Sequence, residues 1–336
     1  MTAPPVNVLF TSVGRRVELV RAFRRAYTDL GVSGRILAVD IDPLAPALGE
    51  CDDVFMVPRT DEPHYVSTLV ELCARERIAL VLPLIDPDVP VLAAHRDALD
   101  ATGARTMVLP GAAAVTVADK RATADLFAAL DVPAPACWTY EEAEALSDLP
   151  FPVFVKPRFG SAGADAHAAA DRSELDFWLA RVTEPVVQEH LPGPEVTSDV
   201  LCLEDGRATA VVARQRLEVR TGEVSKGVTV RDPDIVGHCV RIAEALEARG
   251  PITVQCLRRA DGAPAFTEVN ARFGGGAPLG FAAGMHSPRW LLAQAAGITV
   301  ELPELGVYEE GLYMTRYDES LFLREEERAA LASRRP

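Results

Sequence analysis

The first third of the chain alternates between two hydrophobic patterns. Short apolar runs, "VNVLFT" (6–11), "RILAVDID" (35–42), "IALVLPLID" (78–86) and "RTMVLP" (105–110), read as buried strands. Between them, apolar residues recur at helical spacing up to about Leu30 and over 64–77 and 88–101. Strands alternating with helices predict a parallel, doubly wound α/β sheet. The turn after the first strand holds one glycine, Gly14, and so lacks the G-x-G-x-x-G of a dinucleotide-binding loop. Asp40 closes the second strand, where an acid can grip a ribose or simply end a strand.

The pattern changes after about residue 110. Leu126, Phe127 and Leu130 mark a helix that Asp131-Val132-Pro133 stops, with Lys120 in its first turn. An apolar strand ending in Lys156 runs into the small-residue loop "FGSAGADA". Gly160, Ser161 and Gly163 let backbone approach a ligand closely and present N–H groups to phosphate; a plain hairpin turn is the alternative. The strands "PVVQEHL" and "EVTSDVLCL" meet at Pro-Gly-Pro, where Gln188, Glu189 and Glu195 suit ribose hydroxyls or are solvated turn residues. Arg214, Arg216 and Arg220 alternate along the next strand, and Lys226 follows in a glycine-containing loop. Guanidinium groups clamp carboxylates bidentately, or form structural salt bridges. A helix at 232–249 comes next, and the last dozen residues read as a solvated helical tail.

"TVQCLRRADGAPAFTEVNARFGGG" (253–276) reads as a hairpin, since Asp-Gly suits a type I′ turn. With Asp261 and Gly262 at its centre, paired residue numbers sum to 523 and Gln255 faces Glu268. Side chains alternate faces, so Gln255, Glu268 and Asn270 share one face. Val254, Cys256, Thr267 and Val269 take the other, which reads as core. Three oxygen-bearing side chains suit Mg²⁺, which takes hard oxygen ligands together with substrate phosphates. A wet polar strand face is the alternative.

Composition sharpens this picture. The 336 residues are 49% hydrophobic and carry a net charge of -15, which argues against nucleic acid or an anionic membrane as partner. Six unpaired-looking cysteines and no basic, apolar leader fit a reducing, cytoplasmic setting. Of 34 basic residues only Lys120, Lys156 and Lys226 are lysine and the other 31 are arginine. Lysine is a compact point charge that arginine does not replace in a tight site.

Four pieces occur in order: "DK" with Lys120, "FVKPRFGSAG" with Lys156, "VVQEHLPGPE", and "VQC…FTEVNAR". Together they resemble the ATP-grasp superfamily, most of all its members similar to the large subunit of carbamoyl-phosphate synthase, over about 1–320. The resemblance implies a pre-ATP-grasp α/β domain at 1–110 and a two-lobed ATP-grasp domain at 111–320, with a tail at 321–336. Its central lobe would span about 135–190 and its nucleotide-clamping lobe about 191–320. Lys120 and Lys156 would hold the ATP phosphates beneath a flap of Gly160, Ser161 and Gly163. Gln188, Glu189, His190 and Leu191 would bind adenine, and Glu195 ribose. Glu268 and Asn270, with Gln255 beside them, would carry Mg²⁺, with Mn²⁺ as a substitute. Arg272 would stabilise the transferring phosphoryl group, alongside Lys156. Lys226 is expected to contact the nucleotide or acyl phosphate, and Arg214 and Arg216 a substrate carboxylate. Backbone N–H groups of Gly274, Gly275 and Gly276 are expected to meet that carboxylate or a later oxyanion.

The implied activity is carboxylate–amine ligation through an acyl phosphate, joining amino acids or other small carboxylates and amines, with a homodimer as one expected assembly. The alternatives are activation of bicarbonate with ammonia, an NAD-dependent oxidoreductase, and a non-catalytic nucleotide binder. The lone Gly14 speaks against the third.

Overall fold

The computed structural model describes residues 5–160, 163 and 165–336, arranged around three sheets. The first is parallel: β1 (Asn7–Thr11), β2 (Ile36–Asp40), β3 (Asp53–Met56), β4 (Ile78–Pro83) and β5 (Arg105–Thr106), in the order β3-β2-β1-β4-β5. β1 and β2 are buried at every position, which is why they read as continuous apolar runs. Helices α1 (Val17–Leu30), α2 (Tyr65–Glu76), α3 (Asp88–Ala94) and α4 (Arg96–Asp100) cover the sheet. α1 faces it with Leu19, Val20, Ala22, Phe23 and Ala26.

Three details depart from the sequence pattern. β3 was not expected; its four residues "DVFM" alternate buried and half-buried, as suits an edge strand rather than a buried run. The helical stretch at 88–101 is two helices, broken where His95 leaves helical geometry. "RTMVLP" pairs over two residues only. Asp40 is the loop-bracing kind of strand-end acid: it accepts from Gly14 N at 2.8 Å and from Asp42 N at 3.0 Å.

In this strand order, chain direction reverses beside β1, so the crevice between the carboxyl ends of β1 and β4 is where such sheets bind ligands. Two helices, α5 (Gly111–Ala118) and α6 (Lys120–Ala129), lead out of this part of the chain. Asp119 caps α6 by accepting from Arg121 N and Ala122 N, and this fixes Lys120 as its first residue.

The second sheet is antiparallel: β6 (Cys137–Thr139), β7 (Val153–Pro157), β8 (His167–Ala169) and β9 (Pro185–Glu189), in the order β6-β9-β7-β8. Helices α7 (Tyr140–Ala145) and α8 (Arg172–Leu179) pack on it. Val153, Val155 and Val187 join Leu175 in its core. By period 2 the opposite face of β7 presents Phe154 and Lys156.

The third sheet holds β10 (Glu195–Cys202), β11 (Ala208–Arg220), β12 (Glu223–Thr229), β13 (Gly250–Arg258), β14 (Pro264–Asn270) and β15 (Tyr313–Thr315), in the order β14-β13-β10-β11-β12-β15. α9 (Pro233–Ala245) covers one face, while α10 (Ala277–Ala282), α11 (Ser287–Ala296) and the tail helix α12 (Glu325–Ser333) complete the chain. Lys226 lies within β12, not in a loop.

The β13–β14 hairpin keeps the expected facing pair but reaches it differently. Gly262, at φ +87°, donates to Arg259 O, so the turn centres on Ala260-Asp261 rather than Asp261-Gly262. Pairs near the turn, Arg258↔Pro264 to Cys256↔Phe266, therefore run one residue out of the predicted register. A bulge at Thr267 restores it, and Gln255 faces Glu268. The bulge also turns Thr267 toward the cavity described below instead of the core, while Phe266 takes the buried position.

All six cysteines are free thiols, and among the described residues no helix is long and apolar enough to cross a membrane.

Candidate active site

The two antiparallel sheets and the carboxyl ends of β1 and β4 enclose a cavity of about 710 Å³. Gln188, Glu189, His190 and Leu191 line it where β9 ends, and Glu195 and Thr197 where β10 begins. Gln255, Thr267, Glu268 and Asn270 supply the hairpin wall, and Lys156 faces them from β7. Arg214, Arg216, Arg272 and Gly274 to Gly276 line it further on, as does Gly163. A smaller cavity of about 180 Å³ holds Lys120 and Gly160 and shares Thr267, Glu268 and Asn270 with the larger. Ser161 falls outside the described residues.

The lysines are held by neutral oxygens. Lys156 Nζ donates to Gln188 Oε1 at 2.9 Å, and Lys120 Nζ to Gly160 O at 2.8 Å. Burial lowers the Lys156 pKa below its usual 10.5; nearby Glu268 opposes this and Lys120 adds to it. Burial lowers Lys120 as well, opposed by Glu268, Asp119 and Asp86. Two ammonium groups hydrogen-bonded to neutral oxygens, with no carboxylate in direct contact, suit a polyphosphate.

Asn270 Nδ2 donates to Glu268 Oε1 at 2.8 Å, which leaves the Asn270 carbonyl and the second Glu268 oxygen available. Gln255 faces the same pair across the hairpin. Among the described residues no group of three acids, histidines or cysteines could cage a metal by itself. The donor set is hard oxygen with one carboxylate, so it fits a Mg²⁺ completed by phosphate oxygens.

Arg214, Arg216 and Arg272 are each braced by an acid. Arg214 is buried and forms a bidentate pair with Asp199, from Nε at 2.7 Å and Nη2 at 3.1 Å. Its Nη1 donates to no protein acceptor among the described residues. Arg216 donates to Glu195 Oε1 at 2.7 Å and to Gly222 O, so it braces the acid expected at the ribose instead of standing free as a clamp. Arg272 Nη2 donates to Asp86 Oδ2 at 2.8 Å. The Glu189 carboxylate is engaged by Arg259 and by Ala136 N, so it is not free to bind a ligand. Lys226 lines neither cavity: it pairs with Glu218 at 2.7 Å, and with Ser225 it holds that carboxyl down at about 2.

The three glycines admit the arginines. A Cβ at Gly276 would stand 2.3 Å from Arg214 Nη1, and one at Gly275 would stand 2.8 Å from Arg16 Nη1. The N–H groups of Gly274, Gly275 and Gly276 find no protein acceptor among the described residues.

Sequence reasoning missed Arg16, Asp86, Glu223 and Thr197, all of which line the larger cavity. Arg16 and Asp86 follow β1 and β4 directly, so the rule for open α/β sheets could have pointed to "SVGRR" and "LID".

A parallel α/β sheet followed by two antiparallel sheets, with paired lysines and an E-x-N strand, is the arrangement of an ATP-grasp ligase, and two family matches along the chain agree with it. Residues 181–317 match a family described as ATP-grasp in the biosynthetic pathway with Ter operon, and residues 8–108 match the PylC-like N-terminal domain. No curated protein sequence matches the chain significantly. Among solved structures it is similar to an L-amino acid ligase from Bacillus licheniformis, at 18% identity and TM-score 0.68, covering 88% of this chain and 75% of that one. It is also similar to N5-carboxyaminoimidazole synthetase from Staphylococcus aureus complexed with ADP, at 12% identity and TM-score 0.71, covering 92% and 82%. A biotin carboxylase from Campylobacter jejuni shares the fold at 12% identity and TM-score 0.69, covering 91% and 74%.

Proposed function

We propose that the protein joins a small carboxylate to an amine at the expense of ATP, through an acyl phosphate, releasing ADP and phosphate. The observation that carries this reading is the meeting of Lys156, Glu268, Asn270 and Arg272 in one cavity with the unpaired N–H groups of Gly274 to Gly276. The two lysines hold the phosphates, and the Gln188–Leu191 segment holds the adenine edge. Glu195, braced by Arg216, accepts from the ribose hydroxyls. Glu268 and Asn270, with Gln255 opposite, would hold Mg²⁺, or Mn²⁺ in its place, which neutralises charge on the β- and γ-phosphates when bound.

A carboxylate oxygen attacks the γ-phosphorus and ADP leaves with the bridging oxygen. Arg272 sits two residues beyond Asn270 and meets the equatorial charge that develops. The amine then attacks the acyl carbon, phosphate leaves and the amine loses a proton. The glycine N–H groups support the reacting carboxylate first and the oxyanion second. Phosphoryl transfer needs alignment and charge neutralisation more than covalent help, and these residues supply both. Amino acids are the proposed substrates, in a cytoplasmic setting without nucleic acid or membrane partners.

Phosphorus NMR during turnover with a panel of amino-acid pairs tests the route. ADP and phosphate should rise in step with product; pyrophosphate and AMP rising instead would refute the acyl-phosphate step.

A further inference from the structure

Arg16 is the exception among the guanidinium groups that line the cavity. Arg214, Arg216 and Arg272 each donate hydrogen bonds to protein acceptors. The Arg16 side chain donates none among the described residues, although only 17% of it is exposed. Among the described residues its sole ion partner is Glu223, at 3.2 Å, and Glu223 is shared with Arg316 at 3.6 Å. Arg16 Nη1 lies against the backbone of Gly275, whose N–H is also without an acceptor. The Arg16 nitrogens are not among the solvent-inaccessible groups, so they stay open to the cavity, and a half-buried guanidinium with donors to spare suits an entering anion. Burial lowers the Arg16 pKa; Arg272 and Arg316 add to this, and Glu223 and Asp86 oppose it.

The position matters as much as the charge. Arg16 immediately precedes α1, at the carboxyl end of β1, on the parallel-sheet side of the cavity. The phosphate-facing groups Lys156, Glu268 and Asn270 belong to the antiparallel sheets. With the lysines and Arg272 assigned to the nucleotide in the ligase reading, the anion at Arg16 is assigned to a ligation substrate.

We infer that one of the two ligation substrates carries an oxyanion that takes no part in the reaction, and that Arg16, with the Gly275 N–H, is the specificity-determining residue that binds it. The inference rests on the ligase reading. Two sources share this chemistry: a second acidic group on the carboxylate that is activated, or the carboxylate of an amino acid that serves as the amine.

Hydroxylamine, used as the nucleophile, separates them. ADP release and hydroxamate formation are measured with monocarboxylates (butyrate, alanine) and with their diacid counterparts (glutarate, aspartate, glutamate). A lower KM for the diacids places the anion on the activated substrate. If the two sets are equal, the best carboxylate is paired with amino acids and with the matching amino-acid amides. A lower KM for the free acids places the anion on the amine.

In either case Arg16→Gln should raise the preferred substrate's KM about 30-fold or more, erase the preference, and leave the KM for MgATP unchanged. Arg16→Lys should restore part of the preference, and Glu223→Gln should lower the KM several-fold by freeing Arg16. A melting curve for each variant, with and without MgATP, separates misfolding from lost binding. Equal KM values for acids and neutral counterparts in both arms, or a preference that survives Arg16→Gln, would overturn the inference while ADP release leaves the ligase reading intact. No ADP release with any carboxylate would instead sink the ligase reading.

Discussion

Arg272 Nη2 donates to Asp86 Oδ2 at 2.8 Å, linking residues 186 positions apart. One partner stands just past the end of the β13–β14 hairpin, the other just beyond strand β4 of the parallel sheet. The pair fixes the arginine that would meet the transferring phosphoryl group. Asp86→Asn should lower kcat about 10- to 100-fold through misalignment, with the KM for MgATP nearly unchanged. Steady-state kinetics with varied MgATP decide this; a change confined to the KM for MgATP would contradict it.

Glu268→Gln should leave the melting temperature nearly unchanged, because the residue is half-buried and the shape is kept. Turnover should fall by about 10³ or more, on the scale of losing one preorganised charge, and the Mg²⁺ dependence should weaken. A magnesium titration of rate, beside a thermal melt, checks both halves. An unfolded variant whose folded fraction turns over at the normal rate would show the hairpin to be structural.

Lys156 gives the expected pH dependence. Burial sets its pKa below 10.5, so in the free protein the ammonium loses its proton before an exposed lysine would. Between the lowered value and 10.5 the unfolded chain binds more protons than the folded one, so stability should rise with pH across that window. Nucleotide phosphates favour the charged form, so nucleotide affinity should fall as pH climbs through the same window. Calorimetric titration with MgADP in two buffers of different ionisation enthalpy should show proton uptake there. Lys156→Arg should abolish the uptake and cost about a hundredfold in rate, since a longer fork displaces the phosphates by roughly 1 Å.

Asp199→Asn should be among the most destabilising single changes in the chain. It leaves Arg214, 3% exposed, without its counter-charge, a loss of about 3–5 kcal/mol. Denaturant titration with an unchanged m-value would check it.

The sequence made some of this legible and hid the rest for physical reasons. Buried parallel strands announce themselves, because "VNVLFT" and "RILAVD" must be apolar on both faces. The edge strand at 53–56 need not be, and it passed unnoticed. Lys156, Glu268 and Asn270 were readable because rare lysines and a polar strand face are local signals. Arg16 and Asp86 became visible only through strand order, a non-local property that places two distant turns side by side. The sequence left Arg214 and Arg216 open between a carboxylate clamp and a structural salt bridge, because their partners Asp199 and Glu195 depend on register across β10 and β11, which spacing along one strand does not specify. Lys226 was placed by its glycine neighbour in a loop, where β12 in fact runs on through Gly227.

The bulge at Thr267 acts as a phase corrector. The hairpin tip is one residue out of step with the base, and the extra residue brings Glu268 and Asn270 back opposite Gln255 and Thr253. Tip and base are thereby uncoupled: the turn beyond Cys256 and Phe266 can change in length or type over the chain's evolutionary history without rotating the acid and amide out of the cavity. Removing Thr267 alone would do the reverse, flipping Glu268 and Asn270 into the core through a single-codon deletion.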